Sequence, residues 1–260
     1  MPELLVKKEG PIARLVFSNP PKFNAISFDM WSDLPKRFKE LEADPAIRVI
    51  ILEGEGEKAF AAGADISKFA DRQQERDMQK VHEKAVEQGY LAAPACTKPV
   101  IAKIRGVCMG GGLGMAVSCD LRFCSDDARF RMPAARLGIG YNLAGVRRFI
   151  QTIGVQNTFD IFYTARIFNA ADAQRMGLVM QSVPADQLDR VVDEYAARVA
   201  NNAPLSIRSL KLCVTESFKD KELRDMDAIS QAILDCAAST DHAEGARAFM
   251  EKREPVFESK

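Results

Sequence analysis

No stretch of this 260-residue chain approaches the about 18 uninterrupted apolar residues needed to cross a bilayer. The N-terminal "MPELLVKKEG" carries no apolar run followed by a cleavage site, so the expectation is a soluble, cytoplasmic protein without membrane partners. Charge of one sign is not in excess: Lys plus Arg and Asp plus Glu each number 36, and no basic run occurs. General attraction to nucleic acid is therefore not expected, and a polyanionic ligand would have to be met by local groups. The six cysteines form no CxxC pair, which argues against a disulfide frame or zinc site and for buried thiols in a reducing compartment. No metal site is expected. Histidine is scarce, and both residues, His82 in "RDMQKVHEKAVEQGYL" and His242 in "STDHAEGA", lie in polar helical settings that suit the surface. There is no internal repeat, low-complexity tract or long linker.

What is present is an alternation of strand and helix signals. "IARLVFS" (Ile12 to Ser18) is β-branched and apolar, and it stops at Asn19-Pro20-Pro21. From Ser27 to Asp44, Phe28, Trp31, Leu34, Phe38 and Leu41 recur at three- and four-residue spacing, predicting an amphipathic helix capped by Ser27. "RVIILEG", "KPVIAKIRG" and "CDLRFCSD" are short apolar runs of the kind covered on both faces of a parallel sheet. Strands separated by helices predict an α/β fold. After about residue 200 the pattern is helical only, through "APLSIRSLKLCVTESF", "ELRDMDAISQAILDCAAS" and "HAEGARAFMEKR".

Two glycine-bearing turns stand out. In "GVCMGGGLGMA" (Gly106 to Ala116), three consecutive glycines sacrifice backbone entropy and packing, which fits either a turn or tight helix–strand crossing or a site that needs bare backbone. The apolar residues that follow place Gly111 and Gly112 in the first turn of a short buried helix. Its free N–H groups and dipole favour an anionic oxygen. The spacing matches neither a dinucleotide fingerprint nor a P-loop. The second turn, "AFAAGADIS", follows the strand "RVIILEG"; Asp65 there is a candidate helix cap. Two N–H donors from separate loops are what an oxyanion hole requires.

"NPPKFNAIS", "AFAAGADIS", "KPVIAKIRGVCMGGGLGMAVSCDLRF", "ARIFNAADAQRMGLV" and "EGARAFMEKREPVF", in this order and spacing, resemble the enoyl-CoA hydratase/isomerase (crotonase) superfamily over nearly the whole chain. The resemblance implies a β-β-α superhelix over residues 1–200 and a helical trimerisation region over 201–260, giving a homotrimer or a hexamer of two trimers. It implies an acyl-CoA thioester as partner, with CoA entering as part of the substrate and no separate cofactor. The oxyanion-hole N–H groups fall on Ala64 and Gly111. CoA contacts fall on Lys22, Phe23, Ala64, Asp65, Ile66 and Ser67, and on Phe249 and Lys252 reaching a neighbouring subunit's CoA.

Hydratases of this family use two glutamates as general acid and base, at positions that here are Gly114 and Ala134, neither of which can move a proton. A site with an oxyanion hole and no carboxylate pair suits an enolate formed without taking a carbon-bound proton, as when a malonyl-type thioester loses CO₂. The "YNL" of "LGIGYNLAG" is similar to the corresponding loop of methylmalonyl-CoA decarboxylases, which would set Tyr141 and Asn142 nearest the acyl α-carbon. The same asparagine also reads as a helix N-cap. Glu87 occupies the place of a catalytic histidine in related dehalogenases, and Arg131 is a candidate for a substrate carboxylate. The alternatives are a hydratase or isomerase with other acid–base groups, Tyr141, Glu87 or a bound water, and a non-catalytic acyl-CoA binder.

Overall fold

The apolar runs become the strands of one sheet, and the short segments that follow them become a second. A computed structural model of the chain describes residues 1–65 and 75–258. The N-terminal hairpin pairs β1 (Glu3–Glu9) antiparallel with β2 (Ile12–Ser18). Helix α1 (Phe28–Ala43) follows, with the Ser27 hydroxyl accepting from Met30 N as the sequence predicts. Met30, Trp31, Leu34, Phe38 and Leu41 face the core from it.

Three strand–strand–helix units come next. They are β3 (Val49–Gly54), β4 (Ala59–Ala61) and α2 (Glu75–Ala95); β5 (Val100–Ile104), β6 (Val107–Met109) and α3 (Gly111–Ser118); then β7 (Leu121–Ser125), β8 (Arg129–Arg131) and α4 (Ala134–Leu137). The first strand of each unit joins one parallel array, β2-β3-β5-β7, and the second strand joins another, β4-β6-β8. Each unit thus advances the chain by one strand in both sheets at once. This is the β-β-α superhelix that the resemblance implies.

After α5 (Leu143–Thr164), β9 (Phe168–Asn169) pairs antiparallel with β8, α6 (Ala170–Arg175) follows, and β10 (Gln181–Val183) closes the first sheet against β7. Helix α7 (Leu188–Ala200) covers the outer face of that sheet: Leu188, Val192 and Ala196 pack with Val49, Ile51, Ile101 and Phe123. The other face and the second sheet enclose the larger core, including Phe17, Trp31, Phe60, Phe130 and Phe149. The chain ends in α8 (Pro204–Ser217), α9 (Met226–Ala238) and α10 (Thr240–Glu251), the all-helical C-terminal part the sequence predicts. No helix among the described residues is long and apolar enough to cross a membrane. The six cysteines are free thiols: Cys96, Cys108, Cys119 and Cys124 are buried, and Cys213 and Cys236 are half-buried.

Candidate active site

The second sheet explains why the two glycine turns meet. β4 and β6 are parallel neighbours, so the loops leaving their C-terminal ends emerge side by side, where ligands bind in open α/β sheets. The turn after β4 is tied to the start of α1, because Ile26 N donates to Gly63 O at 2.8 Å and Asp65 N donates to Ile26 O at 3.0 Å. The residue between them, Ala64, keeps its own N–H. The turn after β6 is tied to β8 by Gly110 N donating to Arg131 O at 2.9 Å. Gly110 has φ +50°, a conformation that favours glycine, and it turns the strand directly into α3.

Gly111 is the first residue of α3, so its N–H has no carbonyl one turn back to bond. Among the described residues neither the Ala64 nor the Gly111 N–H donates to a protein acceptor. The two turns touch: a Cβ on Gly111 would lie 3.4 Å from Ala64 N, and one on Gly63 would lie 3.5 Å from Gly111 N. Two unpartnered donors from separate loops thus converge at the positive end of a helix dipole.

The far end of α3 is balanced by cations. Arg122 donates to Cys119 O at 2.7 Å and Ala116 O at 3.4 Å, and Arg148 donates to Val117 O at 3.2 Å and Ser118 O at 3.3 Å. Burial pushes the Arg122 guanidinium down to about 10, still charged at neutral pH. The carbonyl end of the short helix is therefore satisfied while its amide end stays open.

One turn along α3 from Gly111 lies Gly114. A Cβ there would fall 2.5 Å from the hydroxyl of Tyr90 and 2.6 Å from its ring, so α2 can press this phenol against α3 only because residue 114 has no side chain. The Tyr90 ring meets Trp31 edge-on, with centroids 5.2 Å apart. Its hydroxyl accepts a hydrogen bond at 3.3 Å from Tyr141, whose ring packs on Phe162 and Phe149. Burial holds both phenols in the neutral form, raising Tyr90 well above its ordinary value and Tyr141 to about 12. Tyr141 of the "YNL" loop is half-buried and packs against the core. The loop's Asn142 caps α5, with its side-chain oxygen accepting from Gly145 N at 2.7 Å.

The family model described as enoyl-CoA hydratase/isomerase matches residues 7–260. The chain belongs to the enoyl-CoA hydratase/isomerase family. It is 31% identical over 259 residues to the crotonyl-CoA hydratase of Syntrophomonas wolfei, covering 99% of this chain and 98% of that protein. It is 29% identical over 260 residues to the peroxisomal Delta(3,5)-Delta(2,4)-dienoyl-CoA isomerase of Arabidopsis thaliana, covering 96% of this chain and 93% of the other. Its fold superposes on an enoyl-CoA hydratase/carnithine racemase from Magnetospirillum magneticum with a TM-score of 0.94 at 31% identity, over 100% of this chain and 97% of that one.

Within this hydratase/isomerase framework the other expected site residues divide. Lys22 and Asp65 come together as an ion pair at 2.8 Å beside the Ala64 turn, and Phe23, half exposed with φ +50°, adjoins them. Ile66 and Ser67 lie outside the described residues. Ala134 opens α4 after β8 and is buried. Arg131 Nε is committed to Ala165 O at 2.7 Å. Phe249 and Lys252 are exposed at the end of α10, where Lys252 is the C-cap. Glu87 is exposed, because Ala85, Gly89, Ala92 and Ala93 set the buried face of α2. The residue that this helix delivers to α3 is Tyr90, which the sequence reading passes over. Its only sequence signal is position, next to a glycine on the apolar face of an otherwise polar helix. His242 is exposed, whereas His82 is half-buried beside Phe28, and burial lowers its pKa.

Proposed function

We propose that this family member binds an acyl-CoA thioester with its carbonyl oxygen between the Ala64 and Gly111 N–H groups, and stabilises there an enolate formed by loss of CO₂ from a malonyl-type acyl group. The observation that carries this reading is the pairing of two unpartnered backbone donors with a helix face that presents neutral phenols. In decarboxylation the carbon–carbon bond breaks, its electron pair enters the thioester as the enolate, and two fixed donors meet the charge. Such a donor is worth about 3–4 kcal/mol in a transition state. No protein base is required for that step, which fits glycine and alanine at positions 114 and 134. Tyr141 is the proton donor to the resulting α-carbon. Lys22, Phe23 and Asp65 supply the CoA grip, and CoA enters as part of the substrate with no separate cofactor.

A second reading is supported by the names of the relatives: hydration or isomerisation of an enoyl-CoA, with Tyr141 or a bound water moving the proton. Supplying methylmalonyl-CoA and crotonyl-CoA separately, while following CO₂ release and loss of the enoyl absorbance, distinguishes the two. Decarboxylation is expected. Turnover of crotonyl-CoA alone would replace it with the hydratase reading, and CoA binding without turnover of either would make the chain a non-catalytic acyl-CoA binder.

The assembly that fits this reading is a homotrimer or a hexamer. Helix α9 has no buried residue in the single chain, and Ile233, Leu234, Phe249 and Met250 are exposed on the C-terminal helices. Lys252 would then lie near a neighbouring subunit's CoA, and light scattering should give a mass that is a multiple of three chains.

A further inference from the structure

Gly111 and Gly114 are three residues apart on α3, so their Cβ positions would be about 5–6 Å apart on neighbouring parts of one helix face. With a thioester oxygen held at the Gly111 N–H, the acyl α-carbon falls close to the group resting on Gly114. Tyr90 is the side chain that rests there, and it is fixed on three sides. Its ring lies against the bare Gly114 and edge-on to the fully buried Trp31, and its hydroxyl meets only the Tyr141 hydroxyl among the described residues. Trp31 is itself wedged: a Cβ on Gly89 would lie 2.6 Å from its ring. Tyr90 is 7% exposed, whereas Tyr141 is half-buried and sits on the outer side of the pair.

We infer that Tyr90 is a positioning residue for the reaction, aiming the Tyr141 hydroxyl at the α-carbon of the enolate held by Ala64 and Gly111. The inference rests on reading the site as one that stabilises a thioester enolate, and it holds whether loss of CO₂ or removal of an α-proton forms that enolate. Each hydroxyl is both donor and acceptor, so the hydrogen bond between them can reverse. In the protonation step the enolate electron pair forms a C–H bond with the Tyr141 proton, and the phenolic O–H pair stays on oxygen as phenolate. Tyr90 turns its own O–H onto that phenolate, and water returns a proton to Tyr141. Burial favours the protonated form of both phenols.

The experiment uses D₂O with the full chain and its Tyr90→Phe, Tyr141→Phe and doubly substituted variants. Two reactions are read by mass and NMR: CO₂ loss from methylmalonyl-CoA with the face of deuterium entry into propionyl-CoA, and α-deuterium exchange into propionyl-CoA itself. Tyr141→Phe is expected to lower deuteration about 100-fold, in the range of a lost general acid. Tyr90→Phe, which keeps the ring and its packing, should lower kcat about 10-fold at unchanged KM and let deuterium enter both faces. The double variant should be no slower than Tyr141→Phe alone, because Tyr90 acts through it. Exchange without CO₂ release would remove decarboxylation and leave the tyrosine pair standing. The inference is overturned if Tyr90→Phe equals the unsubstituted protein in rate and face, if its loss adds in full to that of Tyr141→Phe, or if the unsubstituted protein performs neither reaction.

Discussion

At the scale of single residues the site is built from side chains that are missing. Gly111 combines an open N–H with a bare Cα that, on the proposed function, the thioester approaches. A methyl there would lie 3.0 Å from Trp31 Cζ2 and 3.4 Å from Ala64 N. Trp31 cannot retreat, since its opposite edge already presses on Gly89. Gly111→Ala is therefore expected to cost about 1–3 kcal/mol of stability through overpacking. The backbone N–H remains, but the methyl would hold the thioester away from it, so turnover should fall by up to the about 10²–10³ that loss of an oxyanion donor costs. Binding of free CoA, which on the proposed function uses the Lys22 and Phe23 region, should be preserved. Calorimetric titration beside a rate assay measures both, and full turnover in Gly111→Ala would remove Gly111 from the oxyanion hole.

At the scale of elements, the site follows from three parallel strands that end side by side, and only part of that was legible in the sequence. Strands β3, β5 and β7 and helices α1 and α8–α10 are long enough to carry a period or an unbroken apolar run. Strands β4, β6 and β8 are three residues each, too short for any pattern, so the second sheet that brings the two loops together is invisible until the chain is folded. The same limit hid Tyr90, whose importance lies in a contact between α2 and α3 that no local motif records. The three glycines were legible because they break local rules, whereas "YNL" stood out only through its family resemblance. The "YNL" loop also shows one residue with two readings. Asn142 caps α5 through its side-chain oxygen. Asn142→Ala should cost about 1 kcal/mol and lower the melting temperature, whereas Asn142→Asp keeps an acceptor and should match the parent. If Asn142→Asp retains stability but loses turnover, the asparagine meets the acyl group as well as the helix.

At the scale of the whole molecule, the C-terminal helices must be held in a fixed relation to the core for any subunit contact they make to be reproducible. Lys211 of α8 reaches into the core, donating to Ala93 O at 3.0 Å, Lys98 O at 2.9 Å and Asp120 at 2.8 Å. The tail beyond α10 is tied back at three places: Arg48 donates to Phe257 O at 2.5 Å, Glu258 N donates to Asp241 at 2.7 Å, and Glu244 gathers Arg253 at 2.7 Å, Val256 N at 3.1 Å and Arg247. These partners, Arg253 first, hold the Glu244 carboxyl far below the ordinary glutamate range. A carboxyl whose pKa is lowered on folding contributes stability above its unfolded value, about 4.3, and loses it as pH falls toward the folded value. Acidification below about pH 4 should thus loosen the tail against α10. Glu244→Gln, which cannot ionise, should be less stable than the parent at neutral pH and converge with it as the pH is lowered. Thermal melts of both proteins at pH 7 and across the acid range test this. A gap between the two melting temperatures that stays constant with pH would show that the Glu244 charge does not hold the tail.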